Sequence, residues 1–204
     1  MNSNEPQKLD FIGLGQMGAP MATNIVKGGF DLSVYDQAGT QERAPEGADI
    51  IGDTATLAAT VDTIFLSVPD GKASHAVIDE ILAVSERRVK VIIDLSTIGP
   101  AAAREADARC KAEGITYMDA PVSGGQAGAK AGTITIMMAG SKDTKDAHDE
   151  ILYAFAKNPF HVGEEPGQGQ AVKILNNFLS GTAMLATTEA VLYGLSQGLD
   201  MKAM

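Results

Sequence analysis

Leu9-Asp10-Phe11-Ile12-Gly13-Leu14-Gly15-Gln16-Met17-Gly18 joins a short strand pattern to a G-x-G-x-x-G turn, and helical spacing from Ala19 to Lys27 follows at once. Strand, glycine turn and helix in that order form the setting in which this spacing cradles a dinucleotide pyrophosphate. Gly13 permits the tight turn, Gly15 lets the backbone approach the anion, and Gly18 lets the helix pack closely on the strand. Backbone N–H groups near Gln16 and Met17 then face the anion at a helix N-terminus. The second strand pattern ends in Tyr35-Asp36, about 20 residues beyond the turn, where an acidic side chain accepts from an adenosine ribose diol. A 2′-phosphate there would meet a like charge, which favours NAD over NADP. The competing reading is a glycine-rich turn beside a solvated aspartate.

Working outward, short β-branched runs alternate with longer Ala-rich helical segments up to about residue 162, the rhythm of a parallel α/β sheet. Strands are expected at 9–12, 32–35, 50–51, 63–68, 89–95, 116–118, 133–138 and 160–162. Several lack in/out alternation, as strands covered by helices on both faces do. Asp53-Thr54 and Gly99-Pro100 open two of the intervening helices. The segment 133–138 alternates at first, which places it toward a sheet edge and antiparallel to its neighbour. The Gly- and Ala-rich residues 120–132 read as the loop that feeds it.

After Gly163-Glu164-Glu165-Pro166-Gly167-Gln168-Gly169 the pattern becomes one proline-free helix from about Gln170 to Gln197, about 40 Å long. Its apolar residues, among them Leu175, Phe178, Leu179, Leu185 and Leu192, spread around much of the circumference. Such a helix needs cover on most sides. Either a longer protein supplies that cover, or a second copy packs on this helix to make a homo-oligomer. A helix covered on one face, with some apolar residues exposed, is the third option.

The 204 residues carry 16 basic and 26 acidic side chains, a net charge of −10, and 45% apolar residues. That balance opposes nonspecific attraction to nucleic acid or an anionic membrane, so neither is an expected partner. No apolar run is long enough to cross a bilayer. The polar opening, Met1-Asn2-Ser3-Asn4-Glu5-Pro6-Gln7-Lys8, has no apolar core and reads as a tail rather than a targeting signal, which makes the cytoplasm the default location. The lone Cys110 and the scattered His75, His148 and His161 have no metal-ligand spacing.

The chemistry is expected at the carboxyl ends of the strands, where ligand crevices form in open α/β sheets. Val68-Pro69 and Thr97 stand just past two buried strands and are placed to line the nicotinamide half of a cofactor, although Ser96 and Thr97 also suit a helix cap. Ser123-Gly124-Gly125 offers a hydroxyl and successive N–H groups to a carboxylate, or serves as a plain turn. Lys173 and Asn177, four apart, share a helix face directly after the glycine-rich entry. A desolvated lysine there exchanges a proton with an alcohol or carbonyl while Asn177 holds the reacting oxygen. A solvated lysine on a helix surface is the commoner fate.

Four segments together resemble the β-hydroxyacid dehydrogenase family: Phe11 to Asn24, Asp94-Leu95-Ser96-Thr97-Ile98, Asp119 to Gly125, and Gly167 to Asn177 with its Gln-Gly-Gln-Ala-Val-Lys interior. The resemblance spans about residues 9 to 200. It implies a Rossmann-type, doubly wound, mostly parallel sheet over 1–164, and then, over 165–204, the start of a long helix leading to an all-helical C-terminal domain absent from these residues. It implies Lys173 as catalytic acid/base with Asn177 as its orienting partner. The Ser123-Gly124-Gly125 loop would then hold the substrate carboxylate, and Thr97 would contact the cofactor. Family members that use NADP tend to carry Asn-Arg after the second strand, whereas Asp36-Gln37 stands here, again implying NAD. The implied substrate is a small anionic 3-hydroxy acid of the 3-hydroxyisobutyrate kind, or a tartronate, succinic or glyoxylic semialdehyde. A dinucleotide-binding module that has lost catalysis is the reading from another class.

Overall fold

A computed structural model describes residues 9–204. The polar opening over 1–8, read above as a tail, lies outside the described residues. In chain order the elements are β1 (Leu9–Ile12), α1 (Gly18–Lys27), β2 (Leu32–Tyr35), β3 (Asp49–Ile50), α2 (Thr54–Thr60), β4 (Thr63–Leu66) and α3 (Gly71–Leu82). There follow β5 (Val91–Asp94), α4 (Pro100–Ala112), β6 (Thr116–Asp119), β7 (Val122–Ser123), α5 (Gly125–Ala131) and β8 (Ile134–Ala139). The last are α6 (Lys142–Ala147), α7 (Asp149–Phe155), β9 (Ala156–Gly163) and α8 (Gln168–Ser196).

The sheet runs β3-β2-β1-β4-β5-β6-β8-β7, with β9 paired to β8. The chain starts in the middle, winds outward through β2 and β3, then crosses back to β4, a doubly wound order whose reversal lies between β1 and β4. Strands β1 to β6 pair parallel. Because successive strand residues face opposite sides, Phe11 and Phe65 enter one core with Met21, Ile25 and Phe155, while Ile12 and Ile64 enter the other with Leu57, Ile78 and Ile81. Phe65 joins the layers of the first core, stacked on Phe11 with ring centroids 6.2 Å apart and edge-on to Phe155 at 6.0 Å. Helix starts follow local chemistry: Asp53 accepts from Thr56 N at 2.7 Å and Asp70 from Ala73 N at 2.9 Å.

Two expectations need correction. The segment 133–138 is a strand, β8, antiparallel to β7 and to the end of β6 and one place in from the edge, as expected. Its other side pairs parallel with the eight residues of β9, of which only 160–162 was expected. Lys157-Asn158-Pro159 hides that strand from a propensity reading, and an edge strand tolerates the proline because one side makes no ladder bonds. Residues 120–132 are not a loop: β7 and the seven-residue α5 occupy most of them. Two glycines and a length of seven residues weaken this helix, which ends on left-handed Gly132 (φ +67°) and takes a bond of 2.7 Å from Asn24 Nδ2 to Ala129 O.

The long helix is present; its buried residues are Gly169 and Gln170 in the first turn and Gly194 near its end. Phe178 is 68% exposed and Met184 71% exposed. No helix among the described residues is long and apolar enough to cross a membrane.

Candidate functional site

The glycine turn closes on its neighbours. At Gly13 (φ +96°) an added Cβ would collide with the Ser67 carbonyl, and at Gly18 with the Gly13 carbonyl. At Gly15 the same atom would meet nothing within 4 Å, so that backbone borders open space. No side chain caps α1 and its first turn holds no acidic residue, which leaves the positive end of the helix to a ligand.

Asp36, just past β2, ties the turn to the next loop. It accepts from Leu14 N at 2.6 Å, from Ala38 N at 2.8 Å and from Arg43 Nη1 at 3.1 Å. A carboxylate has about four lone-pair sites, so one remains for a ribose hydroxyl. Arg43, which the sequence reading did not single out, places a positive charge beside that carboxylate. Nearby, Thr54 is 2% exposed and its hydroxyl has no hydrogen-bond partner among the described residues.

At the carboxyl ends of β5 and β6 stand two buried aspartates paired in register, Asp94 and Asp119. Asp94 accepts from Ser74 Oγ at 2.6 Å, Tyr117 OH at 3.1 Å and Ser96 N at 2.9 Å, and Ser96 Oγ in turn accepts from Val68 N at 2.9 Å. The two edges that present Pro69 and Thr97 are thereby locked together. Burial, and the Asp94 charge after it, push the Tyr117 phenol well above its usual range. Asp119 accepts from Gly167 N at 2.8 Å and Gln170 N at 3.0 Å, capping a helix whose own N-cap residue has no side chain. Burial raises its carboxyl above the ordinary value, and these donors oppose the shift.

One turn further along α8, Lys173 is half-buried, and desolvation lowers its amine below the ordinary lysine value. Asn176 Nδ2 donates to Ser123 Oγ at 3.2 Å and so joins α8 to the Ser123-Gly124-Gly125 loop. Asn177 is exposed. Spacing three and spacing four from Lys173 both keep to its face, so the adjacent pair Asn176-Asn177 was ambiguous by periodicity alone.

One cavity of about 760 Å³ runs along this edge, within the size range of cofactor sites. Gly13, Gly15, Gln16, Met17, Gly18, Asp36, Val68, Pro69, Thr97, Ser123, Gly124, Gly125 and Lys173 all line it. Asn177 is not among its lining residues. The cavity also takes in Arg43 and Thr54 at one end and Ser96 near the other. An uncapped helix end, an open glycine and an orphaned hydroxyl in one elongated cleft fit a dinucleotide. Among the described residues, no three His, Cys, Asp or Glu side chains are grouped to hold a metal ion.

Residues 8–163 match the family model described as the NAD binding domain of 6-phosphogluconate dehydrogenase. Residues 167–204 match that described as NAD-binding of NADP-dependent 3-hydroxyisobutyrate dehydrogenase. The chain is 34% identical to an NAD-dependent L-serine dehydrogenase of Pseudomonas aeruginosa, aligning 97% of this chain with 67% of that one. It is 36% identical to a 2-(hydroxymethyl)glutarate dehydrogenase of Eubacterium barkeri, aligning 97% of this chain with 66% of that one. The solved structure of a Mycobacterium tuberculosis 3-hydroxyisobutyrate dehydrogenase with L-serine superposes with a TM-score of 0.85 at 29% identity, covering 96% of this chain and 67% of that chain. The chain thus spans about two thirds of the length of these relatives. A doubly wound sheet carrying this cleft, matched along nearly its whole length by these dehydrogenases, places the chain in the β-hydroxyacid dehydrogenase family.

Proposed function

We propose that the complete gene product transfers a hydride between NAD and a small 3-hydroxy acid or its semialdehyde, and that residues 9–204 supply the cofactor cleft and the proton-transfer group. The observation that carries this is the placement of Lys173 and the Ser123-Gly124-Gly125 loop on the same cavity as the Gly13–Gly18 turn and Thr97. The named relatives support the substrate class. L-Serine, 3-hydroxyisobutyrate and 2-(hydroxymethyl)glutarate share a CH₂OH group on the carbon that bears a carboxylate.

In this reading the Gly15 backbone and the start of α1 hold the pyrophosphate, Asp36 and Thr54 hold the adenosine end, and Val68, Pro69 and Thr97 border the nicotinamide. Bound NAD supplies the hydride acceptor. Ser123 Oγ with the Gly124 and Gly125 N–H groups grips the substrate carboxylate, which fixes the hydroxyl relative to Lys173. Desolvation lowers the amine and so favours its neutral form, which accepts the hydroxyl proton during oxidation and returns it during reduction. Asn176, which donates to Ser123 Oγ, supports the carboxylate loop from α8. Asn177 enters the proposal only as a group that a substrate or further chain draws in. The dinucleotide unit is taken as 1–164, with 165–204 leading to the rest of the protein. Cytoplasmic location and association of copies through α8 complete the proposal.

Lys173→Ala in the complete protein tests it. Turnover of 3-hydroxyisobutyrate or L-serine should fall about 100-fold or more while the NAD dissociation constant changes little. An unchanged rate removes Lys173 from the mechanism.

A further inference from the structure

Gln170 is fully buried, yet it is absent from the cavity wall. All four hydrogen-bonding positions of its side-chain amide are used. Oε1 accepts from Ile98 N at 2.9 Å and Gly99 N at 3.0 Å, and Nε2 donates to Ser96 O at 2.9 Å and Asp119 Oδ1 at 2.7 Å. Three of those partners are the peptide groups on either side of Thr97, so one side chain grips the backbone before and after the residue that lines the nicotinamide end. The fourth is the aspartate that caps α8. Lys173 follows Gln170 by three residues on the same helix, so the grip ties the Thr97 segment to the turn that carries the amine.

A buried amide of this kind is costly unless fully bonded, and satisfying four sites at once leaves it a single placement. An apolar side chain could fill the space; only an amide gives two acceptor bonds to one strand edge and two donor bonds to that edge and its neighbour. Displacing two reacting groups by about 1 Å costs about 100-fold in rate, so a bond network that sets their separation has kinetic weight without touching either reactant.

We infer that Gln170 is a positioning residue, which sets the placement of Lys173 relative to Thr97 and hence of the proton acceptor relative to the hydride acceptor. This rests on the reading of Lys173 given above.

The test uses the complete protein. Gln170→Glu keeps the acceptor for Ile98 N and Gly99 N but turns a carboxylate toward Asp119 and the Ser96 carbonyl. The expected result is a turnover number lower by about tenfold or more, with the NAD dissociation constant within about threefold of the parent, because the Gly15 turn and Asp36 are untouched. Adding Asp119→Asn restores a donor–acceptor pair with the direction reversed, and should recover most of the lost turnover. A readout independent of turnover comes from Gln170→Met, in which the pH midpoint for labelling Lys173 with an amine-reactive reagent should rise toward the ordinary lysine value of about 10.4 as the amine becomes hydrated. Unchanged turnover in Gln170→Glu overturns the inference. So does a loss of turnover matched by an equal loss of folded protein, with no recovery in the double variant and no movement of the labelling midpoint. Lys173→Ala run alongside separates the two claims: if it is inactive while Gln170→Glu is unaffected, only the Gln170 inference falls; if it is active, the Lys173 reading falls first and takes this one with it.

Discussion

Two buried aspartates on strands of the same sheet are treated in opposite ways. Asp119, at the carboxyl end of β6, accepts three hydrogen bonds, two from the start of α8 and one from Gln170. Asp10, inside β1 between β2 and β4, is equally buried, and neither of its oxygens makes a well-formed hydrogen bond among the described residues. Burial pushes the Asp10 carboxyl well above its usual range, opposed only by the nearby Phe11 N–H. At Asp119 burial pushes the same way against three donors. A charge taken out of water is tolerated where it organises chain ends that have unpaired groups of their own, and is a liability where it meets a completed ladder. Asp36 is intermediate: three donors occupy it and capacity remains, as suits a group that also meets a ligand.

The comparison breaks most directly at Asp119. Asp119→Ala leaves two backbone N–H groups at the start of α8 and one of the two Gln170 amide N–H groups without acceptors, and should lower the unfolding free energy by about 3 kcal/mol or more in urea titrations. A loss under about 1 kcal/mol would mean that water replaces the carboxylate freely. At Asp10 the sign reverses. Asp10→Val, which suits a pleated, covered position, should stabilise the protein by about 2 kcal/mol at neutral pH. Because the folded chain holds the Asp10 proton to higher pH than the unfolded chain does, parent stability falls as pH rises from about 4 through the raised folded value. That slope should flatten in the variant, and an identical slope would assign the pH dependence to another group.

At Asp36 the measured quantity is ligand choice. Asp36→Asn should narrow the preference for NAD over NADP by about tenfold, the scale of one hydrogen bond to a charged group. Arg43→Ala should widen it, because the guanidinium offsets the carboxylate that repels a 2′-phosphate. Titrations with both dinucleotides settle each direction. The smallest effect is expected on α8, where Phe178→Ser should change the stability of this chain by no more than about 0.5 kcal/mol, given its 68% exposure. A larger loss would show that something covers that face.

Much of the site was readable without coordinates because its logic is local. Gly13 acts through its positive φ, and Gly15 and Gly18 through the missing Cβ, all within six residues, and Val68, Pro69 and Thr97 follow from standing where a buried strand ends. Gly124 and Gly125 were named, yet the helix that Gly125 begins was not, since seven residues with two glycines are too short to hold a helix alone and rely on contacts such as Asn24 with Ala129. Arg43 gave no signal because a lone arginine in a loop looks solvated until the fold sets it against Asp36. Asn176 was passed over because spacing four singled out Asn177, although spacing three keeps to the same face.

The order of strand, glycine turn, helix and acidic residue settled that this chain makes a dinucleotide cleft, since those features depend on neighbours a few residues apart and on the alternation of buried runs. Tertiary structure alone decided that Gln170 would reach Ser96, Ile98, Gly99 and Asp119, that Asp119 would cap a helix lacking a capping residue, and that Asp10 would have no such partner among the described residues. Hydrogen-bond partners of buried side chains are selected by which elements pack together. Packing brings together residues that the chain itself keeps far apart.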